Sequence, residues 1–92
     1  MRDYEAVFIF RQEMDLFNQG KQQIVEELKN AGVSILKEED MGTRELAYPV
    51  KKETSGHYYL FVAQIDPEKV NEISQAVRLV DPVLKHLFVR KE

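Results

Sequence analysis

His57-Tyr58-Tyr59-Leu60-Phe61-Val62-Ala63-Gln64-Ile65-Asp66-Pro67 is the stretch on which the reading of the chain turns. His57–Ile65 is aromatic, aliphatic and β-branched, without Gly or Pro, and describes a strand. Asp66-Pro67 describes the start of a helix. The Asp carboxylate can accept from the free N–H groups of a first turn, and Pro at the first helical position lacks an N–H that would have no partner anyway. The strand is apolar on both parities, with Tyr59, Phe61, Ala63 and Ile65 on one and Tyr58, Leu60 and Val62 on the other.

Downstream, Val70, Ile73 and Val77 fall on one helical face. Asp81-Pro82 closes that helix, and Val83–Val89 reads as a last strand. Upstream, Lys51–Gly56 is a polar turn and Leu46–Val50 is extended chain, because the residue before Pro49 avoids the helical region. Tyr48 and Pro49 are expected to shape this segment rather than to touch a ligand. Pro49 also marks it as an edge or a bulge. Val33–Glu39 reads as a strand, with Val33, Ile35 and Lys37 alternating against Ser34, Leu36 and Glu38. Asn30-Ala31-Gly32 stops a helix, since Gly reaches the left-handed cap conformation without strain. That helix carries Phe17, Ile24, Leu28 and Ala31 on one stripe and has Asp15 as its expected cap. Gly20 lowers helix propensity, so the ordered part is expected to begin near Lys21. Arg11–Met14 is a connector, and Arg2–Phe10 is a first strand with faces Tyr4/Ala6/Phe8/Phe10 and Glu5/Val7/Ile9.

The order is β-α-β-β-α-β. Two βαβ halves give an α+β, ferredoxin-like sandwich: a four-stranded antiparallel sheet with both helices on one face. Its other face has no cover. An antiparallel sheet with one wet face alternates cleanly, and the first and third strands do not. Val7, Ile9, Tyr58, Leu60 and Val62 are therefore expected to lie exposed or to meet a partner.

Composition bounds what such a fold can do. The 92 residues carry 13 Lys/Arg against 16 Asp/Glu, a net charge of −3, with 43% hydrophobic and 32% charged residues. This is the size and balance of one domain, residues 1–92, neither disordered nor membrane-embedded. The longest apolar run is Tyr58–Ala63, far short of the ~20 residues a spanning helix needs. Met1-Arg2-Asp3-Tyr4-Glu5 places charges where a signal peptide is apolar, so a cytoplasmic protein is expected. With no Cys, thiolate metal sites, disulfides and iron–sulfur clusters are excluded. Mild acidity argues against attraction to nucleic acid over the whole surface. The charge is uneven, however: residues 1–46 carry net −4 and residues 47–92 net +1.

Catalytic chemistry finds no footing. His57 and His86 lie 29 residues apart, and Ser34, Ser55 and Ser74 fall in no nucleophile elbow. Gly20, Gly32, Gly42 and Gly56 are scattered, so no phosphate-binding glycine loop forms. Glu38-Glu39-Asp40 on a strand alternate in direction and read as a solvated strand end rather than a metal site. His86 reads as a packed or edge histidine. No enzyme, metal, cofactor or small-molecule substrate is expected.

The stretch Met41-Gly42-Thr43-Arg44-Glu45-Leu46-Ala47-Tyr48-Pro49-Val50-Lys51-Lys52 carries a resemblance. With its Gly, basic residue and Leu-Ala-Tyr-Pro, it resembles the signature of the bacterial small-subunit ribosomal protein six family. Arg2, Tyr4 and Glu5 resemble that family's opening, Gly56–Phe61 its third strand and Val83–Leu87 its last. The resemblance implies a structural protein of the small ribosomal subunit. Such a protein binds small-subunit ribosomal RNA together with the basic ribosomal small-subunit protein eighteen. Three places depart from the pattern. Phe10-Arg11-Gln12-Glu13 lacks a Pro, Thr43 and Glu45 flank Arg44 where a second basic residue is common, and the sequence stops at Glu92 where many members continue. Arg2, Arg44, Lys51, Lys52, Lys85, Arg90 and Lys91 become the candidate RNA-facing cations, with Arg44 and Lys85 foremost because each falls in a family-like motif. Arg can fork onto phosphate and Lys acts as a point charge.

Two other readings share the topology. A free-standing RNA-recognition domain stacks bases on aromatics of its middle strands, and Val7-Phe8-Ile9-Phe10 with Gly56–Val62 imitates its motifs. The basic residue expected before Gly56 is Ser55 instead. An acylphosphatase-like domain needs an Arg and an Asn around a phosphate. Arg11 follows the first strand, but Asn18 and Asn30 sit on the wrong element.

Overall fold

The computed structural model describes residues 1–91. Strand β1 (Arg2–Phe10) leads to helix α1 (Met14–Asn30), strand β2 (Ser34–Val50) and strand β3 (Glu53–Ile65). A 3₁₀ turn (Pro67–Lys69), helix α2 (Val70–Arg78) and strand β4 (Val83–Arg90) complete the order. The sheet order is β2-β3-β1-β4, with every neighbouring pair antiparallel.

Side-chain alternation decides which face the helices cover. Tyr4, Ala6, Phe8 and Phe10 of β1 and Tyr59, Phe61, Ala63 and Ile65 of β3 are all buried. They meet Phe17, Ile24 and Leu28 of α1 and Ile73 and Val77 of α2 in one core. Phe8 stands edge-on to Phe61 at 5.5 Å between ring centres, the arrangement that ring quadrupoles favour. Each fully buried Phe or Ile here contributes about 1.5–3 kcal/mol by leaving water.

The ends of α1 are set by different causes. Its last turn closes as a Schellman motif: Val33 N–H donates to the Leu28 carbonyl at 3.0 Å and Gly32 N–H to that of Lys29 at 3.0 Å. Gly32 takes the left-handed φ of +78° that the motif requires. At its start, the helix begins at Met14, ahead of both Asp15 and Gly20. Glu13 stands at the cap without a side-chain hydrogen bond, so Asp15 does not cap and instead lies in the first turn. Gly20 does not delay the helix. A Cβ there would come within 2.8 Å of Phe10 Cδ1 and of Pro82 Cβ, so its bare backbone is what lets α1 approach the sheet. Asp66 does cap: its carboxylate accepts from Glu68 N–H at 3.0 Å.

The β2–β3 hairpin is longer than the sequence suggests. Leu36 is the extra residue of a bulge and is 56% exposed. Past it the pairing steps from Ile35↔Ala63 to Lys37↔Val62, so the expected alternation breaks at Leu36. A second irregularity falls at Asp40/Gly42, where Gly42 has φ +81° and its N–H reaches Asp40 Oδ1 at 2.9 Å. Extended chain runs through these bulges to Val50, so Glu38-Glu39-Asp40 lie in mid-strand rather than at a strand end. The turn is only Lys51-Lys52, both with positive φ (49° and 69°), and β3 resumes at Glu53. Two left-handed residues are the backbone of a type I′ hairpin turn, which matches strand twist.

This hairpin leans over the end of β1. Lys51 Nζ donates to the Val83 carbonyl at 3.0 Å and Arg11 pairs with Glu53 at 2.9 Å. Since β1 separates β3 from β4, the tip must reach across β1 to touch Val83. Ile9 and Leu84 are buried outside the main core. A Cβ on Gly56 would overlap Ile9 Cγ2 and approach Leu84 Cδ1 to 3.4 Å, so Gly56 is the backbone that seals them.

Candidate functional site

The helix-free face of the sheet is built in cross-strand rows. Leu87, Val7, Leu60 and Glu39 form one row, and Val89, Glu5, Val62 and Lys37 form the next. Lys85, Ile9 and Tyr58 form a third, ending at Gly42. Of the expected partner surface, Val7, Tyr58, Leu60 and Val62 are half-buried on this face. Ile9 differs: it is only 9% exposed, because the hairpin covers it. Leu87 (58% exposed) and Val89 (46% exposed) extend the apolar surface on β4. Sequence reasoning missed both, although β4 has the apolar-on-both-parities signal of β1 and β3: Leu87 and Val89 alternate with Phe88. A hollow of about 220 Å³ between β1, β3 and β4 is lined by Val7, Ile9, Tyr58, Lys85, His86 and Leu87.

The candidate cations divide between the two ends of the sheet, about 25 Å apart along β1. At one end, Arg2 pairs in register with Ile65 and Arg90 with Tyr4, on the helix-side parity, while Lys91 N–H donates to the Asp3 carbonyl at 2.8 Å. At the other end lie Arg44, Lys51, Lys52 and Lys85. The Arg44 guanidinium stands 5.9 Å from the centre of the Tyr58 ring. The Lys85 ammonium stands 5.7 Å from the centre of the Tyr48 ring and 3.5 Å from its hydroxyl. The Tyr48 ring is 63% exposed and stands beside Lys85 at this end. Among the described residues the ion pairs are Arg11–Glu53 and His57–Asp40, so neither Arg44 nor Lys85 is in an ion pair.

The perturbed titrating groups have structural causes. The hydrogen bond with His57 (2.5 Å) and the Gly42 N–H hold the Asp40 carboxyl below its usual range. The His57 ring stacks on Phe17 at 3.7 Å. Burial, then the neighbouring Glu38 carboxylate that accepts its hydroxyl, raises the Tyr59 phenol. Burial, then the charge of Arg78, lowers His86, whose Nε2 lies 2.6 Å from the Ser74 hydroxyl. No set of three or more His, Asp or Glu side chains is placed to hold a metal among the described residues. No helix among them is long and apolar enough to cross a membrane.

Fold and surface together define a ferredoxin-like α+β protein whose helix-free face carries apolar rows with cations toward the hairpin end. A profile described as "Ribosomal protein S6" matches residues 3–90. The chain is 43% identical over 90 residues to the small ribosomal subunit protein bS6 of Treponema pallidum subsp. pallidum, spanning 98% of this chain and 97% of that protein. It is 41% identical over 92 residues to the protein of the same name from Treponema denticola, spanning 100% and 99%. The solved 30S ribosomal protein S6 of Thermotoga maritima superposes with a TM-score of 0.86 at 22% identity, over 98% of this chain and 87% of that one. The chain belongs to the ribosomal protein S6 family, a family of ribosomal structural proteins and not of enzymes.

Proposed function

We propose that this protein is a structural component of the small ribosomal subunit in the cytoplasm, acting as one domain over residues 1–92. It binds small-subunit ribosomal RNA together with the basic small-subunit protein eighteen. The observation that carries this reading is the segregation of the helix-free face. Its middle is an apolar row (Val7, Leu60, Leu87), and Arg44 and Lys85, neither in an ion pair among the described residues, stand toward the hairpin end. A chain of net charge −3 attracts RNA weakly as a whole. A basic partner seated on the apolar rows would add the missing positive charge next to the local cations. Val7, Tyr58, Leu60 and Val62, with Leu87 and Val89, are the partner surface. Arg44, Lys51, Lys52 and Lys85 are the principal RNA contacts, with Arg2, Arg90 and Lys91 forming a separate contact at the far end.

A free-standing RNA-recognition domain fits less well. Its stacking aromatics belong on the open face of the two middle strands. Here Phe8, Phe10, Tyr59 and Phe61 are buried beneath the helices, and β1 offers Glu5, Val7 and Ile9, none of them aromatic, on the open face. Sedimentation of a native lysate tests the proposal. The protein should travel with small subunits and remain with them through a moderate-salt wash; a protein found only in the soluble fraction would overturn it.

A further inference from the structure

We infer that Tyr48 and Lys85, with Arg44 and Tyr58 beside them, form a site for one unstacked nucleotide of ribosomal RNA. Its base lies on the Tyr48 ring and its flanking phosphates meet the two cations. The inference rests on the RNA-binding reading above and adds to it a stacking residue and a ligand geometry.

Four observations carry it. Tyr48 is 63% exposed at an outer edge strand, and its backbone is stiffened by Pro49, so a large aromatic face is held in water without a packing role. The Lys85 contact is too loose to explain it as a latch: 3.5 Å to the hydroxyl is the outer limit of a hydrogen bond. Among the described residues neither Lys85 nor Arg44 has a carboxylate partner, while nearby Glu53 is already paired with Arg11 at 2.9 Å. Finally, Arg44 sits over Tyr58, and Tyr58 and Lys85 flank Ile9 in a single row. That row sets Lys85 two strand spacings, about 10 Å, from Tyr58, the ring on which Arg44 rests.

Single-stranded nucleic acid is held by this pairing of aromatic faces with cations along the backbone. The adjoining hollow shares Tyr58 and Lys85 with this site, and a protein segment is expected on its apolar side, over Val7 and Leu87, which leaves the exposed Tyr48 ring to the RNA.

The test uses full-length transcribed small-subunit ribosomal RNA with small-subunit protein eighteen, and compares wild type with Tyr48→Phe, Tyr48→Ala and Lys85→Ala. Tyr48→Phe keeps a stacking face and should bind within twofold of wild type. Tyr48→Ala should weaken RNA binding in the ternary assembly about tenfold, with unchanged affinity for protein eighteen in the absence of RNA. Lys85→Ala should reduce the slope of log K against log salt by about 0.7–0.9, the signature of one lost phosphate contact. Thermal melts of the free variants verify folding. RNA binding by Tyr48→Ala within twofold of wild type would overturn the site. So would an equal loss in the RNA-free complex, which would assign the ring to the protein partner. Failure of wild type to bind RNA even with protein eighteen would overturn the broader RNA-binding reading as well, a result distinct from the others.

Discussion

Leu87→Ala separates the use of the sheet's open face from its stability. Leu87 shares a row with Val7 and Leu60 and is 58% exposed. Fully burying a Leu side chain is worth about 1.5–3 kcal/mol. Folding has therefore taken less than half of this, about 0.6–1.3 kcal/mol, and a partner that covers the residue gains the remaining ~0.9–1.7 kcal/mol. Truncation should weaken binding to protein eighteen about 5- to 20-fold, while lowering unfolding free energy by about 1 kcal/mol. Ile24→Ala provides the contrast. Ile24 is fully buried in the core on the helix side, so its truncation should cost about 2–5 kcal/mol of stability and leave partner affinity unchanged at a temperature where the variant is folded. Isothermal titration reads the first quantity and urea unfolding the second. Binding by Leu87→Ala within twofold of wild type would refute the reasoning, because the most exposed apolar side chain of the row would then be uncovered in the complex.

Gly56→Ala should lower unfolding free energy by about 1–3 kcal/mol, since the new methyl overlaps Ile9; urea unfolding checks this, and a neutral result would mean that the hairpin seals nothing. Lys51→Glu with Lys52→Glu should weaken ternary assembly with RNA while the circular dichroism spectrum stays unchanged. Glu meets the same positive-φ demand as Lys, and only the Lys51–Val83 hydrogen bond is lost, about 0.5–1.5 kcal/mol. For pH, burial holds His86 below the 6.5 of a free imidazole, so below about pH 6.5 the unfolded chain takes up a proton that the folded chain refuses. Stability should fall as pH drops through 6.5 toward the folded-state value, and His86→Gln should flatten that part of the profile in urea unfolding measured from pH 7.5 to 5.

The order of elements was legible because each boundary has a local cause. Asp66-Pro67 starts a helix, Gly32 ends one, and the aromatic and β-branched runs of β1 and β3, free of Pro, need no distant partner to be recognised. The features that escaped are set by contacts between distant segments. Gly20 reads as a weak helix former, yet it lies inside α1 because Phe10 and Pro82 leave no room for a side chain. The bulge at Leu36 reverses the faces of the residues after it, and no single residue announces that reversal. At the surface, Arg44 and Lys85 were visible as cations in motifs that resemble a family. Their rings were not, because the hairpin has to lean across β1 before Tyr48 in one edge strand can meet Lys85 in the other. Burial of Ile9 follows from the same lean.

The central claim is that an acidic domain completes its RNA-binding surface only when a basic protein seats on its bare sheet. Titrating labelled small-subunit ribosomal RNA with the purified protein, alone and in the presence of small-subunit protein eighteen, tests it most directly. The account predicts weak, salt-sensitive binding alone and at least a hundredfold tighter binding with the partner, about 2.7 kcal/mol of coupling. Equal affinity in the two titrations would contradict it.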